Sequence, residues 1–300
     1  MLFNLVNEKL SPLKETSFEK EKKLQEIIGK NLKSIFDIEF VAFEFPIKDV
    51  RFDILGFDTK SNSFVIIELK NKANFSVIDQ GYAYLAQLLA NKYEVSEAAK
   101  IKGFLNNKKP DWEQSKVIFI SPEYTKYQVM LSISNNLPIE LWEAKLYENK
   151  ILSLEKIQTS VQFSTTKNTL IESNPVQEKI KVYTEDYHLK KIDGDTVKEA
   201  YLEIKDALLS NDMTINVQKY YISFKKGINI AYLRNFTKKH FEIVIMLPAG
   251  KGKQLIKKHE IKLLSKGIQK FYGGPCFSVL IDKNNDLDEV IKTVKEAANW

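Results

Sequence analysis

The chain has few of the residues that bind zinc or form disulfides: one cysteine, Cys276, and three histidines in 300 residues. A single cysteine excludes an intrachain disulfide and is typical of proteins from a reducing cytoplasm. With only three scattered histidines beside it, a zinc finger or a zinc-hydrolase site is not expected. The sequence therefore predicts a cytoplasmic protein that is not built around zinc.

Long apolar runs and several common catalytic motifs are also missing. No run approaches the roughly 18 apolar residues of a membrane span, and the start of the chain lacks the basic and apolar regions of a signal peptide. There is no Gly-x-Ser-x-Gly elbow, and Gly250-Lys-Gly-Lys-Gln has neither the spacing nor the Ser/Thr of a Walker A loop. We expect no membrane association and no ATP hydrolysis.

Residues 51–84 carry the most informative pattern that is present. Two stretches rich in β-branched, aromatic and aliphatic residues, 51–57 and 64–70, flank a polar loop and predict a β-hairpin. If the hairpin is symmetric about Lys60–Ser61, Asp53 lies directly across from Glu68. Lys70 continues the face of Glu68, because side chains alternate along a strand.

Opposed carboxylates on paired strands are destabilising by themselves. A structural role therefore does not explain the pair Asp53 and Glu68, whereas a bound metal ion would. Mg²⁺ prefers one or two carboxylates together with waters and phosphate oxygens, and Mn²⁺ would serve equally. Lys70 could then orient a water or stabilise charge on a phosphate. The positive charge of Lys72 would add to the electrostatic attraction for a polyanion. The alternative is that these residues are the solvated face of an ordinary sheet.

A predicted helix after the hairpin places Gln80 and Tyr84 four residues apart, on one side of the helix. If its first turn leans over the strand ends, both side chains can reach the site or a nucleic-acid backbone.

The pattern Asp53…Glu68-x-Lys70…Gln80-x-x-x-Tyr84 resembles the PD-(D/E)xK nuclease superfamily, in the version with a trailing Gln-x-x-x-Tyr that is found in RecB-type nucleases. The stretch Arg-x-Asp-Ile-Leu…Val-Ile-Ile-Glu-Leu-Lys is similar to NucS-type endonuclease domains. The resemblance spans roughly residues 15–145. Phe52 stands where the motif name has Pro. A second Glu-x-Lys, Glu143-x-Lys145, lacks the companion residues and is interpreted as structural.

The resemblance implies roles for further residues. An acid on the first core helix often completes the family's metal site, and we interpret Glu21 in this way; the alternative is an acid that serves the helix dipole and solvent. The backbone carbonyl of Leu69 would be another metal ligand, and Arg51 would contact phosphate together with Lys72. A role in repair, restriction or phage defence follows from family analogy alone.

The charge is unevenly placed along the chain. Residues 213–279 contain 13 Lys/Arg and two Asp/Glu, interleaved with aromatic residues. Such a block suits nucleic acid, through counterion release and base stacking. The alternative is that the aromatics are core and the lysines solvate the outer face. The segment 250–270 within it is predicted to be either an exposed basic loop or an amphipathic helix.

The length and the composition predict two domains. Residues 1–157 are predicted to form the nuclease-like domain, 158–179 a linker rich in Ser, Thr, Asn and Gln, and 180–300 a basic α+β recognition domain. The fold class is α/β, with a restriction-endonuclease-like mixed β-sheet core flanked by helices and followed by the smaller α+β domain. The first domain has predicted strands at 38–46, 50–57, 64–70, 116–121 and 138–144, and predicted helices at 18–34, 76–92 and 95–105. Thr16-x-x-Glu19 predicts a cap for the first of these helices.

The sequence thus predicts a metal-dependent nuclease that hydrolyses phosphodiester bonds, with DNA favoured over RNA as the substrate. Asp53, Glu68, Lys70, Gln80 and Tyr84 are its candidate catalytic residues. A homodimer or a protein partner bound through the C-terminal domain is left open. The alternative function is a catalytically silent protein with a nuclease fold that binds nucleic acid or a partner.

Overall fold

The structure is a computed structural model that describes residues 2–18, 20–70, 77–105, 108–134, 138–157, 181–282 and 287–300. The chain divides into two compact units between Val182 and Tyr183. The predicted linker, 158–179, lies outside the described residues, as does Lys72. No helix in the described part of the chain combines the length and the hydropathy that a membrane span requires.

The first unit contains both strands and helices. The strands are β1 (Phe3–Val6), β2 (Lys9–Pro12), β3 (Glu15–Thr16), β4 (Glu39–Ile47), β5 (Val50–Asp58), β6 (Ser63–Leu69), β7 (Lys116–Ser121), β8 (Ile139–Tyr147) and β9 (Ile151–Lys156). The helices are α1 (Glu21–Lys30), α2 (Leu32–Phe36), α3 (Val77–Ala90), α4 (Lys92–Ile101) and α5 (Lys126–Ser134).

A mixed sheet forms the centre of this unit, in the order β3-β8-β7-β6-β5-β4 with β9 paired to β8. Strands β6, β7 and β8 run parallel to one another, and the other pairs are antiparallel. Helices α1 and α2 pack on one face, and α3 and α4 on the other. Every residue of β6 is buried as a result. The predicted α/β fold with a helix-flanked mixed sheet is confirmed.

The β5–β6 hairpin has the register that its symmetry predicted. Phe57 pairs with Phe64, and the paired register ends at Ile54 and Ile67. Asp53 and Glu68 are the next residues on the two strands, one step beyond the last pair. From there β6 stays joined to β7, since the backbone N–H of Lys70 donates to the carbonyl of Ile120 at 2.9 Å.

The predicted start of the first helix is wrong. The sequence placed it at 18–34 with Thr16 as its cap, whereas α1 begins at Glu21 after an extended Lys20. Thr16 instead belongs to β3 and pairs with Leu146. A long-range strand pairing, which local capping patterns cannot reveal, took this residue into the sheet.

The second unit contains an antiparallel sheet in the order β10-β11-β12-β13-β15-β14. Its strands are β10 (Thr214–Val217), β11 (Tyr221–Lys226), β12 (Ile228–Arg234), β13 (Phe241–Ile245), β14 (Ile261–Leu263) and β15 (Phe277–Ile281). Its helices are α6 (Glu185–Leu189), α7 (Asp195–Leu209), α8 (Ala249–Leu255), α9 (Lys266–Tyr272) and α10 (Asp288–Ala297). Segment 250–270 is therefore neither one loop nor one helix, but parts of two short helices around an edge strand.

A buried ion-pair cluster joins three strands of the first unit. Glu140 on β8 accepts from Lys116 on β7 at 2.7 Å and from the indole N–H of Trp142 at 3.1 Å, and it pairs with Lys156 on β9 at 3.2 Å. The Lys116 and Glu140 side chains are only 17% and 16% exposed. The positive charges of the lysines hold the pKa of Glu140 well below its usual range despite burial.

We expect Glu140→Ala to lower the free energy of unfolding by about 3–5 kcal/mol, because it leaves the Lys116 ammonium buried without its partner. The matched control is Glu143→Ala on the same strand, whose pair with Lys145 at 2.5 Å is more exposed and is expected to contribute about 1 kcal/mol or less. Urea denaturation of the three proteins measures the difference. Equal losses in the two variants would contradict this account of the cluster.

Candidate active site

The Glu68 carboxylate is buried at the end of β6 and is held by three donors. Its Oε1 atom accepts from Lys70 Nζ at 2.7 Å, from Gln80 Nε2 at 3.1 Å and from the Tyr84 hydroxyl at 3.1 Å. Gln80 Nε2 also donates to the Tyr84 hydroxyl oxygen at 2.8 Å. Within the described residues, the buried Oε2 atom of Glu68 has no hydrogen-bond partner. Lys70, Gln80 and Tyr84 thus all donate to the same oxygen of Glu68.

Helix α3 can bring Gln80 and Tyr84 to Glu68 because it lies very close to the sheet. At Gly81, between them, a Cβ atom would stand 2.6 Å from Ile139 Cδ1 and 3.2 Å from Phe119 Cε2. Only glycine permits this approach without displacing β7 or β8 side chains. Burial and the negative charge of Glu68 raise the pKa of Tyr84, so its hydroxyl keeps the proton it donates.

Asp53 stands beside Glu68 where the paired register of β5 and β6 ends. Its Oδ2 atom accepts the backbone N–H of Leu69 at 2.9 Å. Burial, then the nearby negative charge of Glu68 and more weakly that of Glu21, raise the pKa of Asp53 to about 7, against the opposing effects of Leu69 and Lys70. A cation bound here would offset both the cost of burying the carboxylate and its repulsion from Glu68.

Two residues that the sequence pattern did not single out support Asp53. Buried Gln25 on α1 donates to the Asp53 carbonyl at 2.7 Å and to Glu44 Oε1 at 2.8 Å. Glu44 in turn pairs with Arg51 at 2.7 Å. The backbone of Glu44 is in the left-handed region, with φ 49°. This conformation costs a non-glycine residue about 1–3 kcal/mol. The sequence signal that could have identified Glu44 is an isolated acid within the apolar run of β4.

The predicted site residues thus differ in where the structure places them. Asp53, Glu68, Lys70, Gln80 and Tyr84 converge, and Glu21 acts on Asp53 through its charge. Leu69 meets Asp53 through its N–H group. The Arg51 side chain is two-thirds exposed and paired to Glu44.

The donor set fits a hard divalent cation with few protein ligands. In the part of the chain that the structure describes, no three His, Cys, Asp or Glu side chains form a group that could hold a metal by themselves. Two carboxylates, one with a buried oxygen that lacks a partner, match the incomplete protein coordination that Mg²⁺ takes when waters and phosphate complete its shell.

Comparison with known proteins gives one relative over the whole length. An uncharacterized protein of Haemophilus influenzae is 34% identical over 307 residues, which cover 99% of this chain and 98% of that protein. The chain belongs to the same family as this protein. No family model matches it.

Two solved structures match part of the chain at 20% identity. One is the crystal structure of a repair endonuclease from Pyrococcus abyssi, with a TM-score of 0.29. The other is the structure of an EndoMS–dsDNA2 complex, with a TM-score of 0.30. Each match covers 43% of this chain, and 49% and 47% of those chains respectively, so the chain spans about half of their length.

The pKa of Asp53 predicts how stability depends on pH without divalent metal. Because folding raises this pKa from 3.8 to about 7, the stabilisation that the proton provides is present below about pH 4. It is lost as the pH rises through about 7. Asp53→Asn, which keeps an acceptor for Leu69 but carries no charge, should be more stable than the wild type at pH 8 by about 4 kcal/mol. The two proteins should be equally stable at pH 4.

Urea denaturation in EDTA at both pH values measures this difference. The control is Asp49→Asn, at an exposed aspartate between β4 and β5, which should change stability by a few tenths of a kcal/mol at either pH. If the stability difference between Asp53→Asn and the wild type does not grow between pH 4 and pH 8, the Asp53 carboxyl does not have the raised pKa described above.

Proposed function

We propose that this protein is a Mg²⁺- or Mn²⁺-dependent nuclease that hydrolyses phosphodiester bonds in DNA. The observation that carries the proposal is the buried Glu68 carboxylate, with one oxygen held by Lys70, Gln80 and Tyr84 and the other without a partner among the described residues. A purely structural carboxylate would have little reason to be buried half-satisfied beside a second acid, because unpaired buried polar atoms cost free energy.

Asp53 and Glu68 would hold the ion, with the Leu69 carbonyl as a further ligand that the family resemblance implies. Glu21, which forms no three-acid group with them in the described residues, would act on Asp53 through its charge. When bound, the ion supplies a water of lowered pKa and a Lewis acid for the phosphate oxygens. The Leu69 N–H group, which donates to Asp53 at 2.9 Å, orients one oxygen of that carboxylate. Burial and the negative charge of Glu68 beside Asp53 make the bound cation favourable, and a proton on Asp53 would compete with that cation below about pH 7.

Lys70 would act directly on the reacting phosphate. Its ammonium lies 2.7 Å from Glu68 Oε1, beside the carboxylate that would hold the ion. From there it can position the attacking water or stabilise the charge that develops on the phosphorus oxygens. Gln80 and Tyr84 would position Glu68, and Arg51 and Lys72 would contact the DNA backbone.

Cleavage of supercoiled plasmid, linear duplex, branched DNA and single strands tests the proposal directly, with Mg²⁺ or Mn²⁺ compared with EDTA. Glu68→Gln and Lys70→Ala should each lower the rate by at least about 100-fold, because each removes a charge from the transition state. The matched controls are Glu143→Gln and Lys145→Ala, which change an ion pair of the same Glu-x-Lys spacing on β8 and should cleave like the wild type.

Equal cleavage by all five preparations would identify a contaminating nuclease. No metal-dependent cleavage of any substrate by the wild type would refute the proposed activity.

Tyr84→Phe tests the positioning role of the helix. Loss of the hydroxyl that donates to Glu68 at 3.1 Å should weaken metal affinity or lower the rate by about 10–100-fold, as is common for groups that orient metal ligands. Titration of Mn²⁺ by calorimetry separates metal affinity from turnover. Tyr93→Phe on α4, where the side chain is exposed, should be silent; an equally silent Tyr84→Phe would contradict the role.

A further inference from the structure

The second unit carries a strongly basic surface around the β14 edge of its sheet. We define this basic edge by six exposed lysines: Lys253, Lys257, Lys258, Lys262, Lys266 and Lys270. They come from the end of α8, the following loop, β14 and α9. Within residues 251–270, Glu260 is the one acid of the sequence. Positive charge is therefore concentrated on one strand edge and the two short helices that flank it.

Most of these lysines have no acidic side-chain partner. Lys262 pairs with Glu242 at 3.5 Å, but across the described residues no ion pair involves Lys253, Lys257, Lys266 or Lys270. Lysines on an edge strand often serve to prevent edge-to-edge association. That explanation covers Lys262 on β14, but not the lysines of α8 and α9.

The backbone that carries these lysines is fixed by buried and paired groups. Glu289 Oε2, on α10, accepts the backbone N–H groups of Lys257 and Lys258 at 2.7 and 2.9 Å. At Gly252 in α8, a Cβ atom would stand 2.4 Å from Phe277 Cε1, so this helix lies against the sheet. The loop is thus held in place, unlike a solubilising tail, which needs no defined backbone.

Helix α9 is fixed in the same way. Tyr272, buried at the end of the helix, accepts from Arg234 Nη1 at 3.0 Å. The Ser265 hydroxyl accepts from the N–H of Ile268 at the start of the helix. Its outer side presents Lys266, Lys270 and the exposed ring of Phe271. A fixed array of charges costs less conformational entropy on binding than a flexible one.

We propose that the basic edge is a second nucleic-acid contact surface, whose lysines bind the phosphate backbone. The exposed Phe271 ring, next to Lys270, favours a ligand with planar bases over an acidic peptide, since aromatic rings between basic side chains provide stacking platforms for bases. The surface lies wholly within the second unit and uses none of the Glu68 site. It extends the proposed function, but does not depend on phosphodiester cleavage.

Binding of the full-length protein to fluorescent duplex and single-stranded DNA, measured by anisotropy in EDTA over a range of salt, tests this surface. The variant Lys253→Gln, Lys266→Gln, Lys270→Gln removes three of the lysines that have no ion partner in the described residues. Its affinity should fall at least about 10-fold, and the slope of log K against log salt should decrease in magnitude by about 2–3.

The matched control removes the same charge elsewhere in the second unit, as Lys190→Gln, Lys226→Gln, Lys239→Gln, at exposed lysines outside the basic edge. It should change affinity less than about twofold, because diffuse net charge contributes little to backbone contacts. Equal losses of DNA affinity in the two triple variants would overturn the proposal. So would a wild-type protein that binds poly-glutamate as tightly as it binds DNA. The latter result would favour an acidic protein partner.

Glu68→Gln separates this proposal from the proposed activity. Loss of cleavage with DNA binding unchanged, together with weakened binding in the first triple variant, supports both. Absence of cleavage in the wild type together with specific loss of binding in the first triple variant refutes the activity alone. Absence of salt-dependent DNA binding by the wild type overturns the basic edge as a nucleic-acid surface.

Discussion

Burial of the Glu68 carboxylate at the end of the most buried strand is the constraint on which the first unit depends. A charged group in such a place is costly unless it is paired and hydrogen-bonded. Three donors meet one of its oxygens, and two of them come from α3. The helix must therefore pack tightly on the sheet, which explains the glycine at position 81. The contacts that pack α3 against the sheet therefore also position the side chains of the candidate active site.

The site also concentrates strain and repulsion that the rest of the unit must offset. Asp53 is crowded by negative charge, and Glu44 holds a left-handed backbone in the middle of β4. Gln25 ties these two residues together from α1. Conformations and charges of this kind persist where the surrounding structure fixes them, and they concentrate at functional sites. Helices on both faces of the sheet provide that surrounding structure.

The two units handle charge in different ways. In the first, buried charges are neutralised within clusters, as Glu140 is by Lys116 and Lys156. In the second, the aromatic side chains lie largely in the core, while lysines accumulate on its β14 edge. The structure supports the alternative that the aromatics of the basic block are core, and its binding of nucleic acid stays a prediction. Its aromatics are mainly structural, with Phe271 exposed, and several of its lysines have no structural partner.

The sequence by itself determined the hairpin register and the set of residues that converge at its end. Alternation along β5 and β6 and a symmetric loop were enough to place Phe57 opposite Phe64 and to bring Asp53 near Glu68. These are short-range relations that a period of two and a turn define. The spacing of Gln80 and Tyr84 identified one side of a helix in the same way, by a period of 3.6 residues.

Tertiary structure alone decided which oxygen of Glu68 is held, how close α3 lies to the sheet, and that Gln25 and Glu44 support Asp53. It also took Thr16 from its predicted cap into β3 and divided segment 250–270 among α8, β14 and α9. Each depends on contacts between residues far apart in the chain. Local propensities contain no information about such contacts, because the partner that satisfies a buried polar group is chosen by packing rather than by sequence spacing.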